Sequence, residues 1–265
     1  MAIHDRYARR TPFELEFAGE LAEAHFPRIR EQVEARGLEA ADPVSLLQLP
    51  AAAEALDEIM EPPASPAVME PYGSLLYHAY QFWRHEQPLF LLSTDVARWL
   101  VDAAPELSDW TLALAASAGY VQLPQHLFWA RAVEGGPAES IDGFFWSRVG
   151  ATGIAGLLVL GLRTDRLGVS AVPLGPLRLD ELRELAGASA REPGRDFEST
   201  LPGGELERLY SVDTMGEAIK LVARTLWYMK VYPQAVTREP PAEATPGEPS
   251  ASRLAFSRVS LIQGL

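Results

Sequence analysis

The chain has 265 residues and no cysteine, which excludes disulfides, cysteine nucleophiles and thiolate metal sites. Lysine is almost missing: Lys220 and Lys230 are two of the 23 basic residues, and the rest are arginine. Long apolar runs are missing too. The longest, Ile154 to Leu162, has nine residues and is too short to span a bilayer as a helix. No apolar stretch follows the basic residues of the first ten positions, so a secretory signal is not expected. These absences lead to the expectation of a cytoplasmic protein that does not enter membranes.

Positive charge is scarce. The net charge is −13; residues 1–70 carry −8, residues 71–232 carry −5, and residues 233–265 are balanced. With no strongly basic segment, binding of a nucleic-acid backbone through bulk charge is not expected. Several motifs are also lacking. There is no Gly-x-Ser-x-Gly elbow for a serine hydrolase and no Gly-Lys-Ser/Thr for a phosphate loop. Gly150, Gly153 and Gly156 are spaced like a dinucleotide fingerprint, but they lead into a strand-like run instead of opening a helix. His78 and His85 lie two turns apart on one predicted helix, about 10 Å along its axis, too far to share one metal. No cofactor and no metal site are expected.

Hydrophobic residues make up 48% and charged residues 22%, the composition of a folded globular chain. Residues 1–60 read as an acidic helical segment. Thr11-Pro12-Phe13-Glu14 supplies an N-cap, a proline at the first helical position and an early acid. Four prolines mark residues 61–71 as a linker. Residues 72–232 read as an α+β core domain. Tyr72 to Gln87 has the apolar stripe of a helix, with Ser74, His78, Gln81 and His85 on the opposite face. Leu89–Leu92 suits a short buried strand or a buried turn, and a helix follows Ser93. From Gly119 the period shortens, with strands expected near 120–123, 127–133, 143–149, 156–162 and 169–174. Turn residues between them predict antiparallel pairing of about five strands. A helix is expected over 179–186, and Thr214-x-x-Glu217 is a capping box for another reaching about Lys230. Residues 233–265 are expected to be a disordered tail, because 239–250 are rich in Pro, Glu and Ser.

Three aromatic pairs stand beside arginines: Phe82-Trp83-Arg84, Phe128-Trp129-Ala130-Arg131 and Phe145-Trp146-Ser147-Arg148. The helical copy reads as core. In the strand copies Trp129 shares a face with Arg131, and Trp146 with Arg148, because side chains alternate. Such a face could bind a ligand or partner by stacking. His126 and Asp142 lie where neighbouring strands begin, a dyad that could orient a general base. The tail ends in Leu254, Phe256, Val259, Leu261 and Ile262, a tethered apolar peptide suited to adding to a sheet edge or filling a groove of this chain, of another copy or of a partner protein.

The sequence therefore points to a non-enzymatic binding or assembly protein. Its binding residues would be Trp129, Arg131, Trp146 and Arg148, with the tail as a second element. Its partner would be another protein or a second copy, with a small-molecule ligand also admitted. Two alternatives stand beside this reading. One is an enzyme with a site near His126, Asp142, Arg131 and Arg148. The other is a single-stranded nucleic-acid binder that stacks tryptophan and arginine on bases.

Overall fold

The computed structural model describes residues 7–38, 42–60, 66–102, 116–130, 139–160, 170–178, 198–199, 209–211, 215–241 and 251–263. Four helices come first: α1 (Pro12–Glu16), α2 (Glu20–Arg36), α3 (Pro43–Leu47) and α4 (Pro50–Ile59). The expected cap of α1 is present. Thr11 Oγ1 accepts from Glu14 N at 3.1 Å, and Glu14 Oε2 accepts from Thr11 N at 2.9 Å. Helix α2 stops at Gly37, whose φ of 63° is the left-handed conformation that glycine adopts without penalty. Helix α5 (Pro66–Arg84) begins inside the proline-rich stretch and carries Pro71 within it. Helices α6 (Thr94–Asp102) and α7 (Met215–Val231) follow later in the chain. The helix expected over 179–186 lies outside the described residues.

Ten strands form one mixed sheet among the described residues: β1 (Leu89–Leu92), β2 (Ala118–Gln122), β3 (Phe128–Ala130), β4 (Glu139–Val149), β5 (Gly153–Leu160), β6 (Ser170–Arg178), β7 (Glu198–Ser199), β8 (Leu209–Ser211), β9 (Val236–Glu239) and β10 (Phe256–Val259). The antiparallel sheet of about five strands expected from the sequence is corrected here. The β2–β4–β5–β6 portion is antiparallel, as turn-linked neighbours should be. Strand β1, however, runs parallel to β2 on one side and to β10 on the other. A parallel pair needs a crossover, and helix α6 lies in the one between β1 and β2. Residues 123–127 interrupt what is otherwise one edge of β4: β2 pairs with its later half and β3 with its start.

The expectation of a disordered tail is corrected as well. Residues 233–241 and 251–263 are structured, and β10 sits inside the sheet between β1 and β9. Phe256 and Val259 are buried, Leu254 and Ile262 are half-buried, and Leu261 is at the surface. Of the docking targets open to the apolar peptide, the chain's own sheet is the one it occupies. Nothing local in the sequence shows that residue 256 pairs with residue 89, because that register is set by contacts across the whole chain length.

The sheet is the middle of three layers. One face is covered by α1 to α5, which pack with Leu89, Leu91, Tyr120, Phe145, Leu157 and Phe256. The other is covered by α6 and α7, which pack with Phe90, Val121, Phe144, Trp146, Leu158 and Val259. Alternate residues of β1, β4 and β5 thus enter opposite cores, so β1, β5 and the Phe144–Trp146 stretch of β4 read as continuous apolar runs. The acidic N-terminal helices form one of the covering layers. Arg9 ties their leading segment to the sheet: its guanidinium bonds Asp142 Oδ1 and the carbonyls of Leu123 and Asp142, while its backbone is bracketed by the Gln122 amide.

Candidate functional site

Helix α5 carries no charge between Tyr72 and Trp83, and residues 73 to 82 are buried on every side. A helix apolar or uncharged all round belongs in a protein interior. Its polar residues are therefore buried with it. Ser74, His78 and Gln81 recur at i, i+4 and i+7, one stripe of the helix, and are 8%, 1% and 4% exposed. The sequence reading put this stripe on the side opposite the core. In the fold, α5 lies between the other N-terminal helices and the sheet, so both of its sides are core.

The stripe faces β4 and β5. His78 Nδ1 lies 2.9 Å from Ser147 Oγ, and the imidazole stacks on Phe145 at 6.0 Å between ring centres. Phe145 and Ser147 are two residues apart on β4 and share its face toward α5. Nε2 of His78 makes no hydrogen bond of ordinary geometry. Burial strips water from the ring and lowers its pKa to about 3, while the nearby Gly156 backbone opposes that shift to a smaller degree. The imidazole is therefore neutral at neutral pH. Next to it Tyr77 is pushed up beyond the usual phenol range, first by burial and then by the Asp42 carboxylate, with a hydrogen bond to Gln81 acting the other way.

A cavity of about 440 Å³ opens beside this stripe. Its wall includes Ser74, His78, Asp42, Leu47, Ala155 and Pro173. The far side is shaped by an irregularity in the β5–β6 pairing between Ile154 and Gly156, opposite Gly175, whose φ of 88° suits glycine. Asp42 caps α3 by accepting from Ser45 N at 2.9 Å. Val44, 67% exposed, stands in the same wall at the surface. An apolar cavity with a few convergent polar groups and a neutral imidazole suits a small molecule that carries a single hydrogen-bonding group. Among the described residues no group of three or more His, Asp and Glu could hold a metal ion.

The residues singled out in the sequence are dispersed. Trp146 is 1% exposed beneath α6 and α7, against Phe90 and Phe144. Trp129 is half-buried; its Nε1 donates to His126 O at 3.0 Å and its ring stacks near the His126 imidazole. Arg148 is exposed near the far end of β4, about 20 Å along the strand from Asp142. Arg131 lies outside the described residues. His126 is exposed with φ 61°, and its backbone N–H donates to Ser140 Oγ. Asp142 has other partners: Arg9 at 2.9 Å and the Tyr120 hydroxyl at 2.6 Å. Burial, then the charge and hydrogen bond of Asp142, raise the Tyr120 phenol well above its usual value, with Arg9 acting against them. Asp142 and His126 do not form a dyad.

No helix among the described residues is long and apolar enough to cross a membrane. No family model matches the chain, and no curated protein sequence matches it. Among solved structures, the chain is similar to one titled "Crystal structure of AcrVA2", with 16% identity, coverage of 92% of this chain and 81% of that one, and a TM-score of 0.47.

Proposed function

We propose that this chain is a non-catalytic binding protein whose ligand is a small, mostly apolar molecule with one hydrogen-bonding group, held in the cavity beside His78. The observation that carries the reading is a histidine, 1% exposed, in the wall of a cavity of about 440 Å³, with one ring nitrogen tied to Ser147 and the other without a conventional partner. Ligand sites commonly have volumes of roughly 300–1,000 Å³ and fix orientation with few polar groups.

Binding is favoured over chemistry for a physical reason. Ser147 Oγ is engaged by His78 Nδ1 and does not line the cavity, and among the described residues no carboxylate accepts a hydrogen bond from His78 to orient it. This reading keeps the binding function expected from the sequence but moves it away from the tryptophan face and the C-terminal peptide.

A thermal-shift screen of small neutral compounds tests it. Bound compounds should raise the Tm of the native chain. Val44→Trp, which fills the surface side of the cavity, and His78→Leu should abolish the shift. If no compound stabilises the native chain, or Val44→Trp responds equally, the reading is wrong.

A further inference from the structure

We infer a second binding site, for a small organic anion with a planar aromatic body, in the groove where α1, the start of α2, the end of α5 and residues 253–254 meet. The groove has a volume of about 720 Å³ and is distinct from the His78 cavity, sharing none of its lining residues. Phe13 and Trp83 line it from the helical layer, and Leu254 from the C-terminal segment. Trp83 is held rigidly, with Phe26 at 5.5 Å between ring centres and the Arg30 guanidinium 5.5 Å from its ring centre.

Two arginines, Arg10 and Arg253, complete the wall. Among the described residues neither guanidinium has a hydrogen-bond or ion-pair partner. In a chain of net charge −13, two unpaired guanidiniums on one groove are a local exception, because acidic partners are plentiful. Their fixed forks match carboxylate, sulfonate or phosphate oxygens. Glu14 also lines the groove, but its carboxylate is spent internally. It accepts from Thr11 N, from Ser252 Oγ at 2.8 Å and from Arg253 N at 2.7 Å, so it anchors the backbone that carries Arg253. Glu23, exposed on α2, is the carboxylate left to oppose them. Aromatic walls with two free guanidiniums select a planar anion over a neutral or cationic molecule.

The test uses the full chain and anilinonaphthalene sulfonate, an aromatic anion with a planar naphthalene ring, with uncharged anilinonaphthalene as control. Fluorescence titration should show saturable binding of the sulfonate, at least tenfold weaker in the double variant Arg10→Gln, Arg253→Gln. Val44→Trp should leave it unchanged, which separates this groove from the His78 cavity. Unaltered melting of the double variant would show that it is folded, and the same comparison in Trp83→Leu gives an independent arm. Affinity within twofold of the native chain in both variants, or equal binding of the uncharged compound, would overturn the inference.

Discussion

His78 Nδ1 and Ser147 Oγ meet at 2.9 Å across the seam between helix α5 and strand β4, although 69 residues separate them in the sequence. Both residues are 1% exposed, so the bond lies inside the protein. Ser147→Ala leaves the ring nitrogen unsatisfied and should cost about 1–3 kcal/mol. Urea unfolding measures this as a lower midpoint at unchanged slope. A change below about 0.3 kcal/mol would mean that the bond contributes nothing.

The same ring makes stability depend on pH. Its folded pKa, about 3, lies below the ordinary histidine value of 6.5. Between those values the unfolded chain binds the proton and the folded chain does not. Stability from this group is therefore complete above about pH 6.5 and declines as pH falls toward 3, by roughly 3 kcal/mol at pH 4.5. Histidine NMR should show one imidazole that does not titrate from pH 8 to 4.5. His78→Leu should flatten part of the acid limb of the stability curve.

Arg9 and Asp142 are a largely buried ion pair, with side chains 14% and 7% exposed. Removing one partner strands the other charge. Arg9→Met should cost on the order of 3–5 kcal/mol, and added salt should weaken the native pair little, because burial limits screening. Thermal melting with and without salt checks both expectations.

Deletion of residues 251–265 removes β10 and leaves β9 and β1 without their shared neighbour. The truncated chain should lose its cooperative melting transition. A truncated chain that still melts cooperatively near the native Tm would contradict the central placement of β10.

Gly119 lies against Trp146. A Cβ built there would fall 2.1 Å from the indole Cη2. Gly119→Ala forces the buried ring or the strand to shift and should cost about 1–3 kcal/mol, read by denaturant unfolding together with a changed tryptophan emission.

Much of the architecture is legible along the chain because it rests on local chemistry. The Thr11–Glu14 cap, the α5 stripe, the turn-linked strands from 118 to 178 and the helix from 215 are set by short-range propensity and periodicity. The candidate site was legible only in part. A helix without charge from Tyr72 to Trp83 signals full burial, which would have placed Ser74, His78 and Gln81 inside. Periodicity alone marked them as the outer face, since it reports that a helix has two sides and not that both are covered.

By itself the sequence determined the class of object: cysteine-free, acidic, α+β, with the helices up to residue 102, the strands from 118 to 178 and the helix from 215 in their observed order. Tertiary structure decided which strands are neighbours, and with that the fate of each signature. Parallel pairing with β2 and β10 made β1 an interior strand, and the place of β10 between β1 and β9 drew the C-terminal peptide into the sheet. A second helical layer buried Trp146, while the copy that read as core, Trp83, came to line a groove beside Arg10 and Arg253. The reason is physical. Backbone propensity and side-chain alternation act over a few residues, whereas burial depends on what the rest of the chain lays over each face.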